Sequence, residues 1–361
     1  ELKEAARLGA GKEDAEEARV LNRIVRWTSE ALEYEADPRQ AEKVIQELGL
    51  EGCKGVATPA VRHPIEKIRK DESIEQSEMT KFRALAARCN YLSADRPECQ
   101  FASKEVCRCM SEPTKVSVED LKRIGRYLTK YPRLVYHYPF QDGVDGVDVY
   151  VDTDHAGCLR TRKSTSGGCV MVGSHLLKSW SSTQPVITLS SGEAELYGVV
   201  RGSAVGLGFI SMLADLGIVL VLRLWTDSTA SQGMCARQGL GKVRHLDVQE
   251  LWVQQRIRNG DFSLYKIDGE WNPGDLFTKG SLTAHRIQKL LNILGCAYRT
   301  GRALSAPTLR NTSSTRLSTK VSWEEYGEDD WEEEHSEDDV SDVLQRAGLP
   351  HANRAQFSAE A

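Results

Sequence analysis

Residues 147–152 read Val147-Asp-Val-Tyr-Val-Asp152, and this strict alternation of apolar and polar side chains decides the fold of the middle of the chain. Successive side chains of a strand point to opposite faces, so the three valines share one face while Asp148, Tyr150 and Asp152 share the other. The last residue of a central strand lies at the rim of an open sheet, where such sheets bind ligands. The run therefore predicts a strand that brings the Asp152 carboxylate to a binding rim.

The residues after this strand predict the rest of one α/β unit. A hairpin turns at Gly173-Ser174, and Ser190 caps a long helix over residues 192–216. The continuous apolar run over 218–226 predicts a strand that is buried on both faces. Further elements are predicted, in chain order, as a helix over 230–237, a helix over 248–258, a strand over 262–267 and a helix over 282–295. The order βββαβα(α)β is that of a ribonuclease H-like fold, which is an α/β fold with a mixed five-stranded sheet and flanking helices.

The remaining sequence is arranged around this unit. Four segments are predicted, namely a charged and helix-prone region over 1–77, a mainly helical region over 78–141, the α/β unit over 142–298 and a disordered acidic tail over 299–361. Within the helical region, helices are expected over 105–110 and 118–129, the second opened by Ser117.

The net charge of −5 conceals a basic body. Twelve of the 52 acidic residues fall within 321–342, which holds no Lys or Arg, so the other 40 face all 47 basic residues. Residues 80–140 alone carry twelve Lys and Arg against six Asp and Glu. A basic body suits a protein that binds a polyanion. The tail is expected to be a solubilising end; masking of a basic cleft and binding of another protein are the alternatives.

Composition argues against several other classes. No run approaches the length of apolar sequence that spans a membrane, and the first residues show no signal peptide. The chain begins without Met, as an internal segment of a longer product would. Its nine cysteines lack metal-site spacing and indicate reduced thiols. A cytoplasmic or nuclear protein without a membrane partner is therefore expected.

Four carboxylates, at Asp152, Glu195, Asp227 and Asp275, follow one another on a predicted strand, helix, strand and helix. Magnesium prefers oxygen ligands, and a pair of such ions about 3.5–4 Å apart needs several carboxylates around it. The four acids are therefore the candidate catalytic and metal-binding residues, for two Mg²⁺ ions with Mn²⁺ as an alternative. They predict metal-assisted hydrolysis of a phosphodiester. For each acid alone, the alternative is a surface charge or, as for Asp227, a helix cap.

A set of motifs carries a family resemblance. In order, the motifs are Tyr150-Val-Asp-Thr-Asp-His-Ala-Gly157, Arg162-Lys-Ser-Thr-Ser-Gly-Gly168, Trp180-Ser-Ser-Thr-Gln184, Leu189-Ser-Ser-Gly-Glu-Ala-Glu-Leu-Tyr197, Trp225-Thr-Asp-Ser228, Arg244-His-Leu-Asp247 and Asn272-Pro-Gly-Asp-Leu-Phe-Thr-Lys279. With them, residues 146–281 resemble the ribonuclease H domain of copia-type LTR retrotransposon Pol polyproteins. Leu48-Gly-Leu-Glu-Gly-Cys-Lys-Gly-Val-Ala-Thr-Pro59 resembles the region that joins reverse transcriptase to that domain. The resemblance covers residues 40–295.

The resemblance implies hydrolysis of the RNA strand of RNA–DNA hybrids during reverse transcription, with the family's roles carried over to the four acids and a supporting role for Asp154. It also implies that residues 1–77 are a remnant of the reverse transcriptase palm and thumb, and that the upstream reverse transcriptase domains are partners. Two departures are visible: His155 stands where the family usually has Trp, and no His lies in the stretch before Asp275, residues 266–274. No Tyr-x-Asp-Asp hairpin precedes the α/β unit, so the chain is not expected to polymerise DNA.

Candidate substrate contacts lie in loops near the predicted rim. They are Arg162, Lys163, Ser164, Ser191, Ser228, Arg244 and His245. Basic and hydroxyl side chains of this kind bind the phosphate backbone, and a hybrid is recognised by its shape and 2′-OH groups. For Ser191 and His245 the alternative is a helix cap. Trp180 and Trp225 are expected in the core, with stacking on bases as the alternative.

Two other functions fit parts of this pattern. An inactive relic of the element would fold and bind nucleic acid without cutting it. An integrase-like strand-transfer enzyme would use three acids and a different motif after the third.

Overall fold

The computed structural model of the chain describes residues 6–239, 241 and 251–309, all within one compact unit. Its strands are β1 (Glu17–Val20), β2 (Arg23–Trp27), β3 (Ala31–Glu35), β4 (Arg133–Pro139), β5 (Gly146–Asp154), β6 (Thr165–Val172), β7 (His175–Thr183), β8 (Val221–Thr226), β9 (Ser263–Lys266) and β10 (Cys296–Arg299). Its α-helices are α1 (Pro38–Glu47), α2 (Ile65–Arg69), α3 (Gln76–Ser93), α4 (Gln100–Arg108), α5 (Lys115–Lys130), α6 (Ser191–Asp215), α7 (Thr229–Ala236), α8 (Trp252–Arg258) and α9 (Ala284–Ile293). Most of the predicted acidic tail, residues 310–361, lies outside the described residues.

A mixed sheet in the order β7-β6-β5-β8-β9 forms the centre of the α/β unit. β5, β6 and β7 pair antiparallel, whereas β5 with β8 and β8 with β9 pair parallel. The hairpin from β6 to β7 turns at Gly173, whose φ of 58° favours a residue without a Cβ. The mixed five-stranded sheet of a ribonuclease H-like fold, predicted from the sequence, is confirmed.

Helix α6 covers the valine face of β5. The three valines of β5 are fully buried together with Leu196 and Val199 of α6. Burial of each such side chain stabilises the fold by about 1.5–3 kcal/mol. A Cβ at Gly202 would lie 2.5 Å from Val151 Cγ1, so this glycine allows the helix to approach the sheet closely. By length and composition alone α6 would also qualify as a membrane span, a test that the core helix of a soluble protein passes as well.

A second sheet, which is antiparallel and has the order β1-β2-β3-β4-β10, was not predicted. The expectation that residues 1–77 are helix-prone is wrong where β1, β2 and β3 lie. Glu33 and Glu35 of β3 are only 3% and 4% exposed, and Arg26 pairs with both at 2.7 and 3.0 Å. Arg133 of β4 adds a second partner to Glu35 at 2.8 Å. Buried ion pairs of this kind replace the apolar positions by which a strand is recognised in a sequence.

This second sheet also crosses the predicted segment boundaries. β4 lies inside the region 78–141 that was predicted to be mainly helical, and β10 lies at the predicted boundary at residue 298. Their pairing joins residues on both sides of the α/β unit. The predicted segments are therefore not separate bodies among the described residues.

Two helices of the upstream region differ from their predicted positions. α4 begins at Gln100 instead of residue 105. α5 is capped by Thr114 instead of Ser117: Thr114 Oγ1 accepts from Ser117 N at 3.3 Å, and Ser117 Oγ accepts from Thr114 N at 2.8 Å. Ser117 is thus the partner within a capping box, three residues after the cap.

β8 is shorter and less buried than predicted. The run before it leaves the sheet, and Val219 is 89% exposed. Along β8 the two leucines are buried, whereas Arg223 and Trp225 are half-buried on the opposite face. Arg223 Nε and Trp225 Nε1 both donate to Asp148 Oδ1 at 2.8 Å. The predicted strand with two buried faces is therefore wrong, because one face carries a hydrogen-bonded polar row.

The other predicted elements of the α/β unit lie close to their expected positions. α7, β9 and α9 begin and end within two residues of the predicted bounds. α8 covers the second half of the predicted helix over 248–258, and residues 248–250 lie outside the described residues.

Candidate active site

Three carboxylates converge at the carboxyl ends of β5 and β8. Asp152 lies near the end of β5, Asp227 directly follows β8, and Glu195 lies early in α6. β5 and β8 are parallel neighbours, so their carboxyl ends meet at one rim of the sheet. One carboxylate oxygen from each residue lies within 4.8 Å of the other two. Asp152, Glu195 and Asp227 are called the acid cluster below.

The start of α6 fixes the position of Glu195. Ser190 Oγ accepts from Glu193 N at 3.2 Å, which is the cap predicted from the sequence. The Glu193 carboxylate in turn accepts from Leu189 N at 2.8 Å, one residue before the cap. These bonds satisfy backbone donors at the helix start. They set the helix in register, so that Glu195 faces the rim.

Burial, together with the charges of nearby carboxylates, raises the pKa of every member of the acid cluster. Loss of solvation raises the pKa of Asp152 to about 6 and that of Glu195 to about 9, and neighbouring carboxylates add to both shifts. Desolvation raises the pKa of Asp227 as well. Among the residues that the structure describes, Glu195 Oε2 is buried without a hydrogen-bond partner. A buried carboxylate oxygen without a partner, among acids that repel one another, suits a bound cation.

Asp275 adjoins the acid cluster but is paired with two cations. It lies in a 3₁₀ turn over Pro273–Phe277 and is 6% exposed. Lys279 Nζ binds its Oδ1, and Arg286 Nη2 lies 2.8 Å from its Oδ2. Its charge raises the pKa of all three clustered acids. The structure thus brings three of the four predicted ligands into one pocket and places the fourth beside it. Its role as a ligand stays a prediction.

The loop before Asp275 is locked onto β5. Asn272 is fully buried, its Nδ2 donates to Val151 O at 2.9 Å, and its Oδ1 accepts from Gly274 N at 3.0 Å. A Cβ at Gly274 would lie 2.7 Å from Asp152 Cβ, so this position has no room for a side chain. The Asn-Pro-Gly-Asp motif therefore supplies the close contact that brings Asp275 to the rim.

Thr278 and Lys279 are functional candidates that sequence reasoning missed. The Thr278 hydroxyl donates to Asp152 Oδ2. The Lys279 ammonium is stabilised by the charges of Asp152, Asp275 and Asp227, which raise its pKa against the effect of burial. The spacing of Asp275 and Lys279, four residues apart in a helical turn, was the signal that could have revealed the contact.

Two of the predicted substrate contacts have structural roles. Ser164 is fully buried, accepts from Ala156 N at 3.0 Å and bonds to Thr188 Oγ1 at 3.0 Å. The structure does not support a substrate contact for Ser164, because its hydroxyl closes the loop after β5. Ser228 caps α7 by accepting from Ser231 N at 3.2 Å.

Three other predicted contacts are accessible. Arg162 is exposed with a φ of 56°, Lys163 is half-buried beside it, and Ser191 is exposed in the first turn of α6. Arg244 and His245 lie outside the described residues.

The two tryptophans differ in exposure. Trp180 is 7% exposed and packs in the core, as predicted. Trp225 is half-buried and stacks on Tyr265 with ring centroids 4.9 Å apart.

The strand order of the mixed sheet, with acids from two central strands and the long helix at one rim, defines a ribonuclease H-like α/β protein. Comparison with known proteins shows which proteins the chain is similar to. No family model matches it. Over 160 residues it is 31% identical to an uncharacterized mitochondrial protein of Arabidopsis thaliana, a match that covers 44% of this chain and 64% of that protein.

Two polyproteins match longer parts of the chain. The retrovirus-related Pol polyprotein from transposon RE1 of Arabidopsis thaliana is 27% identical over 233 residues, which are 63% of this chain and 16% of the polyprotein. The retrovirus-related Pol polyprotein from transposon TNT 1-94 of Nicotiana tabacum is 23% identical over 264 residues, which are 71% of this chain and 20% of the polyprotein. The chain is thus a relative of plant retrotransposon Pol polyproteins, and the copia-type resemblance is confirmed.

The chain spans only part of each of these relatives. Among solved structures, the foamy viral protease-reverse transcriptase in complex with dsDNA aligns with a TM-score of 0.42 and 10% identity, covering 71% of this chain and 46% of that one.

Proposed function

We propose that the chain hydrolyses the RNA strand of RNA–DNA hybrids in a reaction that depends on a divalent metal. The single observation that carries the proposal is the convergence of Asp152, Glu195 and Asp227 within 4.8 Å of one another. Distant parts of the sequence supply these acids, and the fold holds them together although burial and repulsion destabilise their ionised forms. Such an arrangement lowers the stability of the fold and is typical of functional sites.

The residues present fit a magnesium site. An all-carboxylate donor set without His or Cys suits Mg²⁺, with Mn²⁺ as an alternative. The unpartnered Glu195 Oε2 is an open ligand position. The acid cluster would hold two ions, with Asp275 as the fourth ligand. Bound there, they would lower the pKa of an attacking water and stabilise the leaving oxygen.

Several side chains prepare the acids for this task. Thr278 donates to Asp152 Oδ2 and leaves its other oxygen for a ligand. Arg286 orients Asp275 through an ion pair of 2.8 Å. Lys279 balances the negative charge of the pocket. Thr278, Arg286 and Lys279 are therefore positioning residues in this proposal.

The hybrid substrate follows from the relationship to retrovirus-related Pol polyproteins and from the basic body of the chain. Arg162, Lys163 and Ser191 are the accessible candidates for phosphate contacts. Arg244 and His245 remain candidates from the sequence. The upstream reverse transcriptase domains of a polyprotein are the proposed partners.

One observation favours a second candidate function, that of an inactive relic that binds nucleic acid. Asp275 makes ion pairs with both Lys279 and Arg286, so its carboxylate is already neutralised. If these pairs persist when metal is supplied, the fourth ligand is missing and cleavage fails.

Cleavage of a labelled RNA–DNA hybrid, with duplex RNA and duplex DNA alongside it, tests the proposal. Cleavage of the hybrid RNA strand in Mg²⁺ and its loss in EDTA are expected. Asp152→Asn should lower the rate by at least about a hundredfold, because a metal ligand is lost. The matched control is Asp148→Asn, on the same face of the same strand, whose carboxylate binds Arg223 and Trp225 instead.

The control should cut at nearly the parent rate. A folded chain that binds the hybrid without cutting it in Mg²⁺ or Mn²⁺ would support the relic. Equal rates of cleavage for Asp152→Asn and the parent chain would overturn the assignment of the activity to this metal site, whereas absence of cleavage by the parent chain would overturn the activity itself.

A further inference from the structure

A second polar cleft lies away from the acid cluster, along the outer edge of β7. It has a volume of about 430 Å³ and opens between β7 and the helices α3 and α4. Its wall includes Gln100, Lys104, Arg108, Ser179, Trp180 and Ser181. β7 is the edge strand of the mixed sheet, so the cleft runs beside a strand that has a neighbour on one side only.

Among the described residues, two buried polar atoms in this wall lack hydrogen-bond partners. They are Gln100 Oε1 and Ser181 Oγ. Gln100 is 8% exposed, and it is oriented by its Nε2, which donates to Ser179 Oγ at 2.7 Å. A buried polar group without a partner destabilises the fold. Two of them along one cleft indicate a ligand that offers both an acceptor and a donor.

The charge of the cleft is positive. Lys104 and Arg108 line it, and none of its lining residues is acidic. Glu105 pairs with both cations from outside the wall, at 2.9 Å for Arg108. Arg108 Nη2 also donates to Cys158 Sγ at 2.8 Å, which holds the guanidinium against the loop after β5. Within the described part of the chain, one carboxylate forms ion pairs with the two cations, which leaves positive charge for an anionic ligand.

The cleft is connected to the acid cluster through β6. Lys104 Nζ donates to Thr165 Oγ1 at 2.9 Å, and Thr165 is paired with Asp154 of β5. Asp152 is paired with Gly167, two residues further along β6. One strand, β6, therefore separates the cleft-lining strand β7 from the strand that carries Asp152.

We propose that this cleft binds the sugar–phosphate backbone of a single RNA strand. Phosphate oxygens would accept from the Ser181 hydroxyl and the Arg108 guanidinium. A ribose 2′-OH would donate to Gln100 Oε1, for which a DNA strand offers no equivalent donor. The Gln100 acceptor beside these two donors thus selects RNA over DNA. The site is separate from the acid cluster and does not require that the chain cut anything.

Binding is best measured in the Asp152→Asn chain with EDTA present, so that cleavage and metal play no part. The probes are a fluorescent oligouridylate and an oligothymidylate of the same length, followed by fluorescence anisotropy at several salt concentrations. The parent should bind the RNA about threefold to tenfold more tightly than the DNA, as one 2′-OH hydrogen bond would give. Gln100→Leu should remove this preference.

Two more variants separate charge from hydrogen bonding. Arg108→Gln should weaken both probes and reduce the salt slope by about one, because a phosphate contact is lost. Ser181→Ala removes the hydroxyl donor with little change in side-chain volume, and it should weaken binding about threefold to tenfold. Lys43→Gln on α1, a half-exposed cation outside the cleft wall, is the matched control and should bind like the parent.

Hydrogen exchange gives a test that needs no variant. Saturating oligouridylate should slow exchange in the peptide covering His175–Thr183. Unchanged affinity in Arg108→Gln and Ser181→Ala together with unchanged exchange in β7 would overturn the proposal. Equal binding of RNA and DNA by the parent would reject the RNA preference. If an extended peptide slowed exchange in β7 and RNA did not compete with it, the edge strand would be a binding site for a protein instead.

Discussion

Arg286 Nη2 donates to Asp275 Oδ2 over 2.8 Å, and this ion pair ties the fourth predicted acid to α9. The same guanidinium donates to the backbone oxygens of Gly269 and Glu270, in the turn before Asp275. α9 is followed by β10, which pairs with β4 of the second sheet. The rim that carries the acids is therefore anchored to the upstream region through one helix and one strand.

Removal of the Lys279 ammonium should tighten magnesium binding. Lys279 competes with a divalent ion for the carboxylates of Asp152, Asp227 and Asp275, whose charges stabilise it. Lys279→Gln is expected to lower the dissociation constant for Mg²⁺ by about threefold to tenfold, measured by isothermal titration calorimetry. Lys289→Gln serves as the control, because Lys289 pairs with Glu270 and does not touch the acid cluster. Weaker magnesium binding in Lys279→Gln would show that the ammonium supports the metal instead of competing with it.

Without divalent metal, the free energy of unfolding should fall as pH rises. The folded-state pKa values, about 6 for Asp152 and about 9 for Glu195, lie above those of the unfolded chain. Between the unfolded-state and the folded-state pKa of each group, the folded state therefore binds more protons than the unfolded state. The stabilisation is complete below the ordinary carboxyl pKa near 4 and is lost as pH rises through about 6 and then about 9.

Urea titrations in EDTA across this range measure the effect. The urea midpoint should decrease steadily from pH 5 to pH 9, and Glu195→Gln should flatten the upper part of the curve. Saturating Mg²⁺ should reverse the trend, because the ion binds the ionised acids of the folded state. A midpoint that is constant in EDTA would mean that the acids do not repel one another in the folded chain.

The sequence predicted the acid cluster because local rules determine it. The alternation that ends at Asp152, the cap at Ser190 and the apolar run before Asp227 each fix one acid on one element. Parallel pairing of the two strands then brings their ends together. No local rule reveals that Asp275 is paired with Arg286, since that contact depends on how α9 packs after the loop.

The second sheet could not be predicted for a different reason. β3 buries Glu33 and Glu35, which look like surface charges until Arg26 and Arg133 are placed beside them. β4 gains β10 as a neighbour from the other end of the α/β unit, at a sequence separation that no local pattern encodes. The polar cleft could not be predicted either, because its unpartnered atoms come from α4 and β7, which lie far apart in the sequence.

Gly274→Ala should damage the site through packing alone. The new Cβ would lie 2.7 Å from Asp152 Cβ and 2.9 Å from Asp152 N, so either the loop or the acid must move. A loss of about 1–3 kcal/mol in the free energy of unfolding is expected, together with weaker Mg²⁺ binding. Gly208→Ala on α6 is the control, because a Cβ at this position would have no atom of the described residues outside its own helix turn within 4 Å. That variant should be stabilised by up to about 1 kcal/mol, as alanine favours the helix. Urea unfolding measures both, and equal stability of the two variants would refute the close contact.

A buried ion pair between Arg96 and Glu98 joins the upstream helices to the fold. Arg96 and Glu98 are 1% and 2% exposed, Arg96 Nε lies 2.6 Å from Glu98 Oε1, and Arg96 Nη2 donates to Tyr131 O at 2.8 Å. Arg96→Met leaves Glu98 as an uncompensated buried charge and should cost about 3–5 kcal/mol in the free energy of unfolding. The double variant Arg96→Met/Glu98→Leu removes both charges and should recover most of that loss. Urea unfolding of the two variants against the parent decides the matter: if the double variant were as unstable as the single one, the shape of this pocket, rather than the pairing of its charges, would be what holds the helices in place.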